Sequence, residues 1–139
     1  MVSREKIIRY DTDIGLMKIR IEAELHPTED PDRVRTAILN IFPGAVPSGT
    51  GSDGRLVMKA TDIQPFFTRI SEQKIRDTAR SQLLRSINGS SMRFGLSKQA
   101  AFSNRVNFSD VHQVLGNLEI TIAFDDPEAL INNMLGVAD

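Results

Sequence analysis

From Met17 to Leu25 the chain alternates without a fault: Met17, Ile19, Ile21, Ala23 and Leu25 fall on one side, Lys18, Arg20, Glu22 and Glu24 on the other. A period of two belongs to a β-strand with one face buried and one in water, because successive side chains leave the pleat in opposite directions. The pattern returns at Arg55 to Ala60, where Leu56, Met58 and Ala60 oppose Arg55, Val57 and Lys59. It recurs at Met92, Phe94 and Leu96, and again at Leu118, Ile120, Ile122 and Phe124. Strands of this kind call for a sheet with one apolar face under cover and one polar face in solvent.

The segments between the strands supply that cover. Asp30-Pro31 reads as a helix start, with the carboxylate as cap and Pro at the first helical position, where a missing N–H costs nothing. Val34, Ala37, Ile38 and Ile41 follow at helical spacing until Pro43-Gly44. From about Pro65 to Asn88 the spacing of Phe67, Ile75, Ala79, Leu83 and Ile87 predicts one long helix, loosened near Arg69 to Glu72 and stopped by Asn88-Gly89. Lys98 to Phe102 reads as a short turn or helix, Arg105 to Phe108 as a loosely paired strand, and Asp126-Pro127 as a second capped start ahead of Leu130, Ile131, Met134 and Leu135. The order β-α-β-α-β-β-β-α implies an α+β fold: a mixed, mostly antiparallel sheet with one face covered by helices. Its open face is expected to carry Lys18, Arg20, Arg55, Lys59, Arg93 and Arg105 among Glu22, Glu24 and Glu119.

At 139 residues the chain suits one domain. Its 40% hydrophobic and 25% charged residues are ordinary for a globular protein, which argues against a disordered or fibrous chain. There is no cysteine, so disulfides and thiolate metal sites are excluded. The first twenty residues mix Arg4, Glu5, Lys6, Arg9, Asp11 and Asp13 with short apolar stretches, unlike a signal peptide, and no apolar run approaches the ~18 to 20 residues that cross a bilayer. A cytoplasmic protein without membrane partners is expected.

A net charge of −1 conceals a strong asymmetry. Residues 1–54 hold 7 basic and 9 acidic side chains, residues 55–105 hold 10 and 3, and residues 106–139 hold none and 6. The fold can either gather the basic middle into one surface or cancel it against the acidic tail. Within the middle, Arg69, Gln73, Arg76 and Arg80 follow helical spacings and form one polar stripe, which suits phosphates. The competing reading is a solvated face with local pairs, Glu72 to Arg76 and Asp77 to Arg80.

Other motifs weigh less. Gly49-Thr50-Gly51-Ser52-Asp53-Gly54 spells the G-x-G-x-x-G of a dinucleotide loop, but a helix precedes it and a strand follows, the reverse of what the chemistry requires. Asp11-Thr12-Asp13-Ile14-Gly15 resembles the opening carboxylates of nucleoside hydrolases; the acids expected next are Met17, Lys18 and Ile19, so a polar turn is the better reading. His26 and His112 lack the partners of a triad, a zinc pair or an acid–base couple. Glu29-Asp30-Asp32 and Asp125-Asp126-Glu128 stand at helix starts and read as caps. No catalytic apparatus, metal site, cofactor or small-molecule substrate is identified. Phe94 and Phe124 share parity with core residues, so exposed stacking platforms for bases are scarce and any RNA contact would be to backbone and shape.

Several segments together resemble an archaeal family described as RNA-binding. They are Pro27-Thr28-Glu29-Asp30-Pro31, Asn40-Ile41-Phe42-Pro43, Gln73-Lys74-Ile75-Arg76-Asp77-Thr78-Ala79-Arg80, Phe94-Gly95-Leu96-Ser97-Lys98-Gln99-Ala100-Ala101 and Val106-Asn107-Phe108. The resemblance spans about Lys18 to Phe124, which makes residues 1–16 an N-terminal extension and residues 17–139 the single α+β domain. It implies a fold similar to the 5S-RNA-binding ribosomal protein of the large subunit, a homodimer, and no catalysis. The family's polar signature falls on Gln73, Asp77, Arg80, Lys98 and Gln99, although its usual Asn before Lys-Gln is Ser97 here. Beside an enzyme whose pocket residues do not announce themselves in sequence, two functional readings follow. One is an RNA-binding module in which Arg69, Arg76, Arg80, Lys98 and Arg105 meet phosphates while Gln73 and Gln99 hydrogen-bond. The other is a homodimeric scaffold in which the same arginines pair with the acidic C-terminal third.

Overall fold

A computed structural model describes residues 17–48, 54–109 and 117–136. The alternating segments become strands β1 (Lys18–Glu24), β3 (Arg55–Ala60), β5 (Ser91–Ser97) and β7 (Asn117–Ala123). Three two-residue strands join them: β2 (Val46–Pro47), β4 (Ile87–Asn88) and β6 (Phe108–Ser109). The sheet runs β2-β3-β1-β7-β5-β4, with β6 also pairing β5, and every described pairing is antiparallel. Strand β1 sits inside the sheet between β3 and the last strand, β7, with Ile21 lying between Met58 of β3 and Ile120 of β7.

The alternation places Ile19, Ile21, Met58, Met92, Phe94, Leu96, Leu118, Ile120 and Ile122 on one face, all buried. Helices α1 (Pro31–Ile41), α2 (Gln64–Glu72), α3 (Arg76–Arg85), α4 (Lys98–Phe102) and α5 (Pro127–Leu135) accompany the sheet, and their buried residues form one core with it. In α1 the inward residues are Val34, Ala37, Ile38 and Ile41, the set the spacing predicts, and Asp30 caps the helix by accepting from the Asp32 N–H at 2.9 Å. Asp126 does the same for α5 through the Ala129 N–H at 3.1 Å. Phe66 anchors the core: its ring lies 5.6 Å from that of Phe42, 5.4 Å from Phe67 and 5.7 Å from Phe94. Burying one such side chain contributes about 1.5–3 kcal/mol, and the ring pairs add about 0.5–1.5 kcal/mol each.

Two expectations need correction. The long helix predicted from Pro65 to Asn88 is two helices and the start of a hairpin. After α2 the chain turns at Lys74, whose φ of 60° is left-handed. The Ile75 N–H then reaches back to Ile70 O at 3.2 Å and the Lys74 N–H to Ser71 O at 3.1 Å. These are the two hydrogen bonds of a Schellman stop, so the break follows the loosened stretch near Arg69 to Glu72 rather than falling in it. Ile87 and Asn88 belong to a hairpin, paired with Met92 and Ser91. The strand expected from Arg105 to Phe108 shrinks to Phe108–Ser109, which leaves Arg105 in a loop and off the sheet face.

Candidate nucleic-acid interface

The open face of the sheet carries Lys18, Arg20, Arg55, Lys59 and Arg93 with Glu22, Glu24 and Glu119, as the alternation requires. Strand register decides how they meet. Glu24 stands opposite Arg55, and Glu22 stands directly opposite Glu119. Like charges at cross-strand separation repel, and arginines resolve the conflict. Arg55 donates to Glu22 Oε1 at 2.7 Å and its guanidinium lies 3.7 Å from Glu119 Oε1. Arg20 pairs with Glu22 from the side, and Arg93 Nε donates to Glu119 Oε2 at 2.8 Å. Burial works to raise the Glu22 carboxyl, but hydrogen bonds from Arg55 and Arg20 and their positive charge outweigh it and hold it below its ordinary value.

The second basic region lies on α2, α3 and the loop after α4. Residues 69 to 85 hold Arg69, Lys74, Arg76, Arg80 and Arg85 against Glu72 and Asp77. None of these cations takes part in an ion pair among the described residues. Arg76 donates to Ser71 Oγ at 3.3 Å, and neither local pair, Glu72 to Arg76 or Asp77 to Arg80, forms among the described residues. Arg80 is half-buried and its Nε has no acceptor. Asp77 is exposed in the first turn of α3, where the helix dipole favours a carboxylate.

Two amide side chains assemble this region. Gln73, at the α2 stop, donates from Nε2 to Val106 O at 3.0 Å and accepts from the Val106 N–H at 2.6 Å. Its amide thus acts like one rung of a sheet, and it holds the loop carrying exposed Arg105 against the α2–α3 corner. That loop is shaped by Asn104 in left-handed conformation (φ 63°) and by the Arg105 N–H donating to Ala100 O at 2.9 Å. Asn40, in the last turn of α1, donates from its amide Nδ2 to Ala101 O at 2.9 Å while its backbone carbonyl accepts from Arg69 at 3.2 Å, tying α1, α4 and α2 together. The arrangement therefore brings Arg69, Gln73, Arg76 and Arg105 to one corner, with Arg80 one turn further along α3.

Lys98 is elsewhere and inside. It is only 3% exposed, and its ammonium donates to Glu24 O at 2.8 Å and to the Glu29 carboxylate at 3.1 and 3.2 Å. Glu29 also accepts from the His26 N–H at 2.9 Å, so it serves an ion pair while Asp30 does the capping. A lysine can be buried at this cost only with its charge matched and its protons taken up, which this clasp provides. Burial works to raise the Glu29 carboxyl, but the His26 hydrogen bond and Lys98 together hold it low. Gln99, one residue on, is exposed. Lys74 and Arg85 are the unpaired cations that stripe reasoning passed over; their membership of the basic middle was the signal for them. Among the described residues no group of His, Asp and Glu could hold a metal ion, and no helix is long and apolar enough to cross a membrane. Asp11, Asp13, Gly49 to Asp53 and His112 lie outside the described residues; Gly54 (φ 72°) leads directly into β3.

Comparison with known proteins bears on this surface. A family model described as RNA binding matches residues 18–124. A UPF0201 protein of Sulfurisphaera tokodaii is 34% identical over 124 residues, covering 84% of this chain and 86% of that one. A UPF0200/UPF0201 protein of Archaeoglobus fulgidus is 36% identical over 110 residues, 79% of this chain but 34% of its own length, so the chain spans about a third of that relative. The crystal structure of a UPF0201 protein superimposes with a TM-score of 0.80 at 31% identity, covering 87% of this chain and 94% of the other. The strand register, the α2–α3 corner and the Lys98 clasp described above thus belong to a member of the RNA-binding family that includes the archaeal UPF0201 proteins.

Proposed function

We propose that this protein binds structured RNA without catalysing a reaction on it, holding the phosphate backbone through Arg69, Lys74, Arg76, Arg80 and Arg105. One observation supports the reading: these cations are carried by α2, α3 and the adjoining loops, and none is neutralised by an ion pair among the described residues. An unpaired guanidinium loses little on meeting a phosphate, and the counterions released from the RNA favour the complex. Gln73 then builds the surface and does not touch the ligand, Asp77 stands among the cations, and Lys98 and its neighbour Gln99 lie outside it. A likeness to the 5S-RNA-binding ribosomal protein and a cytoplasmic setting are part of the same proposal.

The test is a titration with structured RNA at two salt concentrations. Affinity should fall with salt by a slope of about −0.7 per single-strand phosphate neutralised. Binding that is absent or indifferent to salt would remove the reading. The second reading, the homodimeric scaffold, has Arg69, Arg76, Arg80 and Arg105 pair with the acidic C-terminal third of a second copy; among the described residues of one chain only Arg55 and Arg93 reach that third, at Glu119. It gains if light scattering finds a dimer that Arg76→Glu with Arg80→Glu dissociates.

A further inference from the structure

On the premise that the α2–α3 surface binds RNA, the chemistry around its cations narrows the kind of RNA. All seven phenylalanines are committed to the core: Phe42, Phe66, Phe67 and Phe94 are buried in it, and Phe102, Phe108 and Phe124 pack against it. The single tyrosine, Tyr10, lies outside the described residues. A single strand is gripped by stacking its bases on exposed rings, whereas a duplex hides its bases and offers phosphates and sugar hydroxyls. What α3 presents to solvent suits the second. Arg76, Asp77, Thr78 and Ser81 are all exposed, so a carboxylate and one hydroxyl stand between the cations at its N-terminal corner and Arg80, with a second hydroxyl just beyond.

Asp77 is the informative residue. It has no partner among the described residues, and against a phosphate it would only repel. It can accept a hydrogen bond from a ribose 2′-hydroxyl, the group that distinguishes RNA from DNA and that lines the wide, shallow minor groove of an A-form helix. At about 1.5 Å per residue, the ten residues of α3 extend about 15 Å, enough to reach from one phosphate strand into that groove. We infer that the ligand of this surface is an A-form RNA duplex, with the arginines and Lys74 on phosphates and Asp77 accepting from a 2′-hydroxyl in the minor groove.

The experiment compares one sequence in three forms, RNA duplex, DNA duplex and single-stranded RNA, against the full chain, Asp77→Ala and Asp77→Asn. The unaltered protein should bind the RNA duplex at least tenfold more tightly than either competitor. Asp77→Ala should bring the two duplexes within about threefold of each other, while Asp77→Asn, whose amide oxygen still accepts, should keep the RNA preference and bind both duplexes more tightly. Single-stranded RNA binding as well as the duplex would overturn this inference and leave the RNA-binding reading standing. Both variants tightening the two duplexes equally would show Asp77 to be a repelling charge and overturn it as well. No salt-sensitive binding to any RNA would overturn the functional reading beneath it.

Discussion

On the sheet face, Lys18, Arg20, Arg55, Lys59 and Arg93 share a surface with Glu22, Glu24 and Glu119, and three of the five basic side chains are ion-paired. On α2, α3 and the loop at Arg105 the basic groups are as numerous, yet not one is paired with a described carboxylate. The difference comes from backbone geometry. Antiparallel register sets side chains of neighbouring strands within about 5 Å of each other, so Glu22 and Glu119 face each other and cations must stand between them. On a helix a pair at i, i+3 or i, i+4 is optional, worth about 0.2–0.5 kcal/mol, and a better local bond displaces it, as Ser71 does at Arg76. Most of the positive charge on the sheet is neutralised within the fold, and the positive charge on the helices is not.

The largest expected effect separates both regions from Lys98, the cation that belongs to neither. Lys98→Ala leaves the Glu29 carboxylate without its counter-charge and the Glu24 carbonyl without the ammonium that donates to it, and should cost about 3 kcal/mol of stability by denaturant unfolding. Lys98→Arg should restore little, because a wider guanidinium does not fit a site 3% exposed. Next, replacing Arg76, Arg80 and Arg105 together by Gln should weaken RNA binding about 100-fold at low salt, equivalent to about 2.7 kcal/mol. Replacing Lys18 and Lys59 should weaken it less than about threefold; equal losses from both sets would break the contrast.

Arg55→Ala probes the sheet side. It leaves Glu22 and Glu119 opposed and should cost about 1–2 kcal/mol of stability with RNA affinity unchanged. The effect has a pH signature. The Glu22 and Glu29 carboxyls are held below their ordinary 4.5, so the unfolded chain takes up their protons first as pH falls. Their contribution is complete well above pH 4.5 and is lost progressively below it, and Arg55→Ala should flatten that acid limb in stability measured against pH. The smallest change is Lys74→Gly. Removing a side chain from φ 60° should stabilise the protein by about 1 kcal/mol while lowering RNA affinity a few-fold, so stability and binding move in opposite directions.

The strands were legible because a period of two admits one interpretation, and Asp30-Pro31 and Asp126-Pro127 marked two helix starts because capping is local chemistry. The stop at Lys74 was not legible. No Gly or Pro marks Gln73 to Ile75, and the apolar spacing of Ile75, Ala79 and Leu83 continues as if the helix did. For the candidate site, the basic middle marked the stretch that carries the cations without ion pairs, but the stripe of Arg69, Gln73, Arg76 and Arg80 assumed a single helix. Gln73 faces Val106 and Lys98 is enclosed, and both partners lie far away in sequence.

By itself, the sequence determined which side of each strand would be apolar, where two helices would begin, and that residues 55–105 would carry the positive charge. Only the tertiary structure decided which of those charges would be spent. Alternation and capping act over one to four residues, whereas Glu22 with Glu119, Gln73 with Val106 and Glu29 with Lys98 meet only when the sheet order and the α2–α3 corner bring distant segments within hydrogen-bonding reach.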